Sequence, residues 1–410
     1  MPHRIKIIND PVHGFVTIPG EIQFRLIEHQ WFQRLRRIKQ LGLTYLVYPA
    51  ALHARFQHSL GAMHLMVRTL NYLISKGHDI SPQEREDAIN AILLHDIGHG
   101  PFSHTLENTI VTGLDHEQLG RAIIRQIDKE FDGALQGAMA ILEGRYHRQF
   151  LCQLVSGQMD MDRMDYLRRD SFYTGVAEGF INVDRLLAML DIAEDELVIE
   201  AKGVFTIEHF LAARRMMYWQ VYLHKTVLAA EFMLSNALLR ARHLVKEGRQ
   251  PEASSSLRYF LENKPNPVDL EGDAAGLRQF TNLDDVDIFA ALKQWQYDND
   301  VVLSLLASGI VNRKLFRIEL LDEPPAEEML QTLLHGIAGY LNIDEEKAGW
   351  LLIKGQTSNQ VYNPDHAPIR VLQKNGALTG LHELLPAIGQ AGQLVTVTKH
   401  FVCYPKFIKR

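Results

Sequence analysis

The sequence is poor in cysteine, has no long apolar run and carries no large excess of either charge. Cys152 and Cys403 are its only cysteines, about 250 positions apart. Neither a disulfide framework nor a paired-cysteine zinc site can be built from them, and a reducing compartment is the default. Nowhere do about 18 apolar residues follow one another, and the opening MPHRIKIINDPVHG lacks an apolar signal core. The chain is therefore expected to be cytoplasmic and not membrane-spanning. Lys and Arg number 43 against 49 Asp and Glu, a net of −6, which excludes a general basic field for nucleic acid or an anionic lipid surface. Any polyanion must be met by a local cluster. A P-loop, a GxGxxG turn, a heptad run and an internal repeat are also missing. What is there is 410 residues, 46% apolar and 22% charged, enough for one substantial core or two smaller ones.

Helical periodicity dominates after a small hairpin in which Ile5, Ile7, Phe15, Val16 and Ile18 flank the turn Asp10-Pro11-Val12-His13-Gly14. Glu21 to Leu41 reads as a helix with a cationic last turn, Arg34, Arg36, Arg37 and Lys39, in part a solvated face. Ser81-Pro82-Gln83-Glu84 is a capping box opening a helix that runs into His95-Asp96. A second hairpin is expected from Glu196 to Ile207 around Lys202-Gly203, then one long helix or a closely joined pair from Ile207 to Lys246. Strands are expected at Leu315–Leu321, Ile369–Leu372 and Leu394–Val402, with a helix near Ala326–Leu341. The expected organisation is a mainly α core over residues 1–247, a polar connecting segment over 248–281, and a C-terminal lobe over 282–410, helical and then α+β.

Nineteen histidines are more than such a chain needs, and His95, His99, His104 and His116 crowd into HDIGHGPFSH and LDHEQ. A buried histidine followed by an aspartate at a helix end can offer an imidazole nitrogen and a carboxylate oxygen to one cation, a donor mix suited to Zn, Mn, Fe or Ni. Two ligands do not make a site. Further candidates are His58 in RFQHSLG and an aspartate in MDMDRMDY. Met159, Met161 and Met164 read as packing, and His13 reads as serving its turn.

His58, His95-Asp96 and Asp162 together form the signature H…HD…D. With INDPVHG, FQRLRRIKQLG, ARFQHSLG, LLHDIGHGPFSH, DHEQ and MDRMDYLRRDSFYTG, the chain resembles the HD-domain deoxynucleoside triphosphate triphosphohydrolases, over about residues 4 to 240 and more weakly in VNRKLFR and APIRV. It is similar to the catalytic domain of the SAM-and-HD-domain member, and the SAM domain is expected to be absent. The resemblance implies an HD helical core with small β-hairpins and a smaller C-terminal α+β lobe. It implies hydrolysis of a dNTP at the α-phosphorus to deoxynucleoside and intact triphosphate, at one divalent metal (Mn, Fe, Zn or Ni) held by His58, His95, Asp96 and Asp162, with Mg accompanying the triphosphate. His99 and His116 would contact phosphate oxygens, and His104 would be the general acid for the departing 5′ oxygen, oriented by Glu107 where SAM-containing relatives carry an aspartate.

Arg55, Arg163, Arg214 and Lys225 are candidate triphosphate clamps, since guanidinium groups chelate phosphate oxygens. Arg214, Tyr218 and Tyr222 share a helix face at i, i+4 and i+8, a spacing that also suits an amphipathic core stripe. By resemblance Tyr222 would lie beneath the deoxyribose where a 2′-hydroxyl would go, Gln40 and Asp170 would bond the 3′-hydroxyl, and Tyr166 would complete the wall. A regulatory site for GTP or a dNTP would match Lys6, Glu28, Gln33, Arg36, Arg313 and Arg317, and a homodimer or tetramer is implied. Competing readings are another HD phosphohydrolase, acting on a nucleotide monophosphate, a cyclic dinucleotide or an alarmone, or a nucleotide-sensing or single-stranded nucleic-acid-binding protein. Nucleic-acid binding is not indicated by the charge balance.

Overall fold

The computed structural model describes residues 6–103, 109, 115–263, 265, 274–359, 368–385 and 397–408. Strands β1 (Lys6–Asp10) and β2 (Gly14–Ile18) pair antiparallel, with Lys6 opposite Ile18. The Asp10 carboxylate closes their turn by accepting the backbone N–H groups of Val12 and His13, each at 2.9 Å. Gly14 ends the turn at φ +76, where a side chain would be strained.

The helix expected from Glu21 to Leu41 is broken. It forms α1 (Glu21–Glu28), α2 (Gln30–Gln33) and a 3-10 turn, Arg34–Arg37. The break is His29, extended at ψ 134, whose Nδ1 accepts the Trp31 N–H and caps α2. The cationic run is not one solvated face either. Arg34 is buried and donates to the His99 carbonyl, while Arg36 and Arg37 are exposed.

The central helix is α3 (Arg55–Ser75), with Leu60, Met63, Met66 and Leu70 buried. Against it packs α4 (Pro82–Leu94), opened by the capping box: Glu84 donates its N–H to Ser81 Oγ, and its carboxylate accepts the Ser81 N–H. Helices α5 (His116–Glu130), α6 (Gln136–Leu142) and α7 (Gln149–Val155) follow, then α8 (Met161–Thr174) on the other side of α3. Met159, Met161 and Met164 are buried core.

After α9 (Val183–Met189), the second hairpin turns earlier than expected. Strands β3 (Leu190–Ala193) and β4 (Glu196–Glu200) are joined at Glu194 and Asp195, both at positive φ, and residues 201–203 are a helical turn. Tertiary contacts override the weak turn chemistry of Glu-Asp. The Asp195 carboxylate accepts the Gln149 N–H at 2.7 Å and Arg148 Nε at 2.8 Å. The joined pair of helices is present as α10 (Val204–Met217), a π-turn at Tyr218–Tyr222, and α11 (Lys225–Lys246).

The polar stretch after Gly248 holds α12 (Ser255–Glu262) and α13 (Ala274–Asn282), followed by α14 (Asp285–Trp295) and α15 (Val301–Val311). Then come β5 (Arg317–Leu321), α16 (Glu327–Leu341), β6 (Ile353–Asn359), β7 (Arg370–Leu372), β8 (Leu378–Gly380) and β9 (Val397–Tyr404). β9 is the middle strand of an antiparallel sheet ordered β5-β9-β6. β7 and β8 extend the hairpin into a sheet ordered β3-β4-β7-β8, with β4 and β7 parallel. The protein is mainly α-helical with small sheets, and α3, α4, α5 and α8 bring the histidine and aspartate motifs together.

Candidate active site

Three helices deliver the cluster. His58 lies in the first turn of α3, His95 caps the C-terminus of α4 with Asp96 next to it, and Asp162 lies in the first turn of α8. Ligand atoms of His58, His95 and Asp162 all fall within 4.8 Å of one another. His58 Nε2 is 3.0 Å from Asp162 Oδ1 and 3.2 Å from His95 Nε2. Asp96 borders the group, with Oδ1 3.4 Å from His95 Nε2 and Oδ2 3.7 Å from His58 Nε2. His58 Nδ1 donates to Asp165 Oδ2 at 2.8 Å, and His95 Nδ1 donates to the Ile92 carbonyl at 2.6 Å. With its proton on Nδ1, each ring when neutral points a bare Nε2 lone pair at the same point as a carboxylate oxygen. Converging lone pairs repel unless a cation lies between them, and two imidazoles with carboxylates fit a divalent transition metal.

The electrostatics agree. Burial opposes protonation of His58, yet the Asp162 and Asp165 carboxylates push it up to about 10. Burial raises Asp162, but hydrogen bonds from His58 and His95 hold it far below the usual carboxylate range. The cluster demands positive charge at its centre.

Its supports are equally close. Asp162, Asp165 and Arg169 share one face of α8 at i, i+3 and i+7. Arg169 donates Nε to Asp165 Oδ2 at 2.8 Å and Nη2 to Oδ1 at 3.0 Å. α3 and α8 can approach this closely only because position 61 is glycine: a Cβ there would run into the Asp165 carboxylate and the Arg169 guanidinium. Gly98 does the same for the loop after His95, where a Cβ would strike the His116 carbonyl and the Gly120 backbone on α5. Asp96 accepts Arg55 Nη1 at 2.5 Å, and Arg55 Nε donates to Ser103 Oγ at 2.9 Å.

Against the cluster opens a cavity of about 590 Å³, lined by His95, Asp96, Asp162, His99, His116 and Arg55. Gln40, Tyr166, Asp170, Tyr218 and Tyr222 line it as well. His99 and His116 stack at 4.0 Å. Tyr222 donates its hydroxyl to Asp170 Oδ2 at 2.8 Å, and His53 Nε2 donates to Oδ1 at 2.7 Å, so the buried Asp170 carboxylate is fixed from both sides. Burial, then Asp170, raise the Tyr222 pKa, keeping it a neutral donor.

The HD domain matches residues 55–170, and the HD associated region matches residues 181–255. The crystal structure of a phosphohydrolase from Bacteroides thetaiotaomicron superposes with a TM-score of 0.95 at 46% identity, covering 98% of this chain and 100% of that one. Protein YwfO of Bacillus subtilis is 33% identical over 417 residues, 98% of this chain and 92% of its own. The chain belongs to the HD-domain phosphohydrolase family. A further relative is the deoxynucleoside triphosphate triphosphohydrolase SAMHD1 homolog of Dictyostelium discoideum, 30% identical over 288 residues that span 64% of this chain and 56% of that one.

Three of the four cationic candidates of this HD phosphohydrolase are not among the residues that line the cavity. Arg163 donates to the Gly157 carbonyl at 2.6 Å and to Asp160, the N-cap of α8. Arg214 is buried and donates to Gln158 Oε1 at 3.0 Å. Lys225 lines a separate cavity of about 260 Å³ with Trp219, His224 and Lys399. Arg55 reaches the cavity, but its guanidinium is committed to Asp96 and Ser103. His104 and Glu107 lie outside the described residues.

Of the regulatory candidates, Arg36 donates Nε to Gln33 Oε1 at 2.7 Å and lies over the Phe56 ring. Lys6 lies over the Phe24 ring, Glu28 is exposed at the end of α1, and Arg313 donates to the Leu46 carbonyl. Arg317 is exposed on β5. The cavity also takes in Glu117, Arg121, Glu231 and Ser235, which the sequence reading did not single out. Asp165 was equally overlooked, although its spacing from Asp162 placed it on the same face.

Proposed function

We propose that this HD phosphohydrolase hydrolyses deoxynucleoside triphosphates at the α-phosphorus, releasing deoxynucleoside and intact triphosphate. The observation that carries the reading is one cavity lined both by His95, Asp96 and Asp162 with the stacked His99 and His116 and by the Tyr222–Asp170 pair. That combination suits a phosphate chain joined to a sugar. It is supported by the similarity to the Dictyostelium triphosphohydrolase.

His58, His95, Asp96 and Asp162 would hold a Mn, Fe, Zn or Ni ion, and such an ion when bound polarises a phosphoryl oxygen and acidifies water. The chain's own residues do the rest. Asp170 and Gln40 would accept and donate to the 3′-hydroxyl, and the Tyr222 ring would occupy the space a 2′-hydroxyl needs. His99 and His116 would bind phosphate oxygens, with Mg carried in on the triphosphate. Water attacks phosphorus as the P–O5′ bond breaks, and His104, oriented by Glu107, would protonate the leaving 5′ oxygen. Arg163, Arg214 and Lys225 would reach the phosphates only after side-chain rearrangement. Activation by GTP or a dNTP through Lys6, Glu28, Gln33, Arg36, Arg313 and Arg317 belongs to the same reading, as do a homodimer or tetramer and a cytoplasmic location. Among the described residues no helix is long and apolar enough to cross a membrane.

The test is to incubate the Mn- or Fe-loaded protein with all four dNTPs, with and without GTP, and to separate products by ion-pair chromatography. Deoxynucleoside with intact triphosphate is expected. Diphosphate, orthophosphate or no turnover would reject the reading in favour of another HD phosphohydrolase substrate or a nucleotide sensor.

A further inference from the structure

The tip of the N-terminal hairpin reaches the metal cluster. His13, whose side chain is 1% exposed, donates from Nε2 to Asp165 Oδ1 at 2.6 Å. Its Nδ1 is buried without a hydrogen-bond partner, so the ring proton sits on Nε2, where the carboxylate accepts it. The hairpin is anchored from the same helix. Asp10, which caps the Val12 and His13 amides, also accepts Arg169 Nη1 at 2.8 Å.

Asp165 is therefore saturated. Oδ1 accepts from His13 Nε2 and Arg169 Nη2, and Oδ2 accepts from His58 Nδ1 and Arg169 Nε. A carboxylate held by donors on both oxygens cannot swing, so it presents Oδ2 to His58 in one direction. That forces the His58 proton onto Nδ1 and its Nε2 lone pair toward His95 and Asp162.

We infer that His13, on the hairpin turn, is a positioning residue for the metal centre: through Asp165 it fixes the tautomer and direction of His58. The sequence reading gave His13 only a turn role, and its distance of 45 positions from His58 hid the link. The inference rests on the metal-centre part of the proposed function and not on which phosphate ester is cleaved. It also explains why the turn is tied to α8 at Asp10: a loose tip would leave Asp165 Oδ1 with a single partner.

The experiment titrates metal-free full-length protein with Mn²⁺ and counts bound ion by electron paramagnetic resonance, for the wild type and two variants. His13→Phe keeps the ring volume and removes the donor, whereas His13→Gln places an amide N–H near the Nε2 position. Outer partners of metal-binding histidines are typically worth tenfold or more in affinity, so His13→Phe should weaken Mn²⁺ binding roughly tenfold, and His13→Gln should stay within about threefold of wild type. Equal affinity in His13→Phe and wild type, or an equal loss in both variants, would overturn the assignment. If His13→Phe does not fold, nitrogen-15 spectra of the histidines in the wild-type protein loaded with diamagnetic Zn²⁺ decide it. Proton on His13 Nε2 and His58 Nδ1 is expected, and the opposite tautomer at either ring overturns it. A drop in Mn²⁺ affinity for His13→Phe in a protein that cleaves no dNTP still supports the inference, whereas a wild-type chain that binds no Mn²⁺ removes it together with the metal-centre reading.

Discussion

His58 and His95 meet Nε2 to Nε2 at 3.2 Å, and when both rings are neutral neither nitrogen has a proton to give the other, because each ring spends its proton on the far side. A gap lined by three lone-pair donors in a folded core is suited to a cation. Metal should therefore stabilise the native state alone, and the gain grows with saturation to about 4 kcal/mol at a thousandfold excess over Kd. Thermal unfolding with added Mn²⁺ and after chelation checks this. Asp162→Ala should abolish both the metal-dependent shift and turnover, whereas His104→Ala should retain metal and lose turnover. Full activity in metal-loaded His104→Ala would remove His104 from the mechanism.

The approach of α3 to α8 makes a second prediction. Gly61→Ala puts a methyl into the Asp165–Arg169 ion pair. Overpacking of this kind costs about 1–3 kcal/mol. The pair it pushes apart also orients His58, so Mn²⁺ affinity should fall alongside the urea midpoint. Loss of stability with unchanged metal affinity would show that the helices separate without disturbing His58.

Tyr222 is fixed by its own hydroxyl bond to Asp170, so its ring forms a rigid floor beside the sugar position. Tyr222→Ala should relax discrimination against ribonucleotides, raising NTP turnover relative to dNTP roughly tenfold or more if exclusion is steric. An unchanged dNTP-to-NTP ratio in parallel assays would sink the assignment.

The metal cluster was legible because its residues sit in short local contexts: a capping box that aims α4 at His95-Asp96, and a helix start at Asp160 that puts Asp162 in the first turn. The hairpin at the N-terminus and the joined helices around Tyr218 were legible for the same reason. What escaped were choices made by distant partners. His29 breaks a periodic helix because its ring caps the next one. The Glu194-Asp195 turn forms because Asp195 binds Arg148 and the start of α7. Closer in sequence, Arg163, expected as a triphosphate clamp, donates to Asp160; Arg214, expected in the same role, donates to Gln158.

Asp285 joins the C-terminal half to the site. Its carboxylate accepts the Phe102 N–H at 2.7 Å and the Lys39 N–H at 2.9 Å, next to Ser103 and Gln40. Phe102 and Ser103 both have positive φ, a strained pair that persists only when tied down. Asp285→Asn must aim its amide NH₂ at one of those two N–H groups. The loop should shift by a fraction of an ångström, and kcat should fall roughly 10–100-fold with metal retention intact. Kinetics of the metal-loaded variant beside its metal content decide this, and loss of both together would make Asp285 a stability residue only.

Far from the site, Arg240 and Asp300 form a buried bidentate pair, Nε to Oδ1 at 3.1 Å and Nη2 to Oδ2 at 2.7 Å. Oδ1 also accepts the Leu303 N–H at 2.9 Å, capping α15. Burial pushes the Asp300 carboxyl up, but the Arg240 and Leu303 hydrogen bonds outweigh it and hold the carboxyl below the usual range. A depressed native pKa means the stabilisation is present above the unfolded pKa of about 4 and is lost as pH falls through the native value. Asp300→Asn strands the Arg240 charge while its amide oxygen can still cap, and should cost about 3 kcal/mol at pH 7. Asp300→Ala loses the cap as well, for about 1 kcal/mol more. Because protonation removes the same charge from the wild type, urea midpoints of wild type and Asp300→Asn should converge as pH drops below 4. A gap that stays constant from pH 7 to 3 would mean the pair contributes through shape rather than charge.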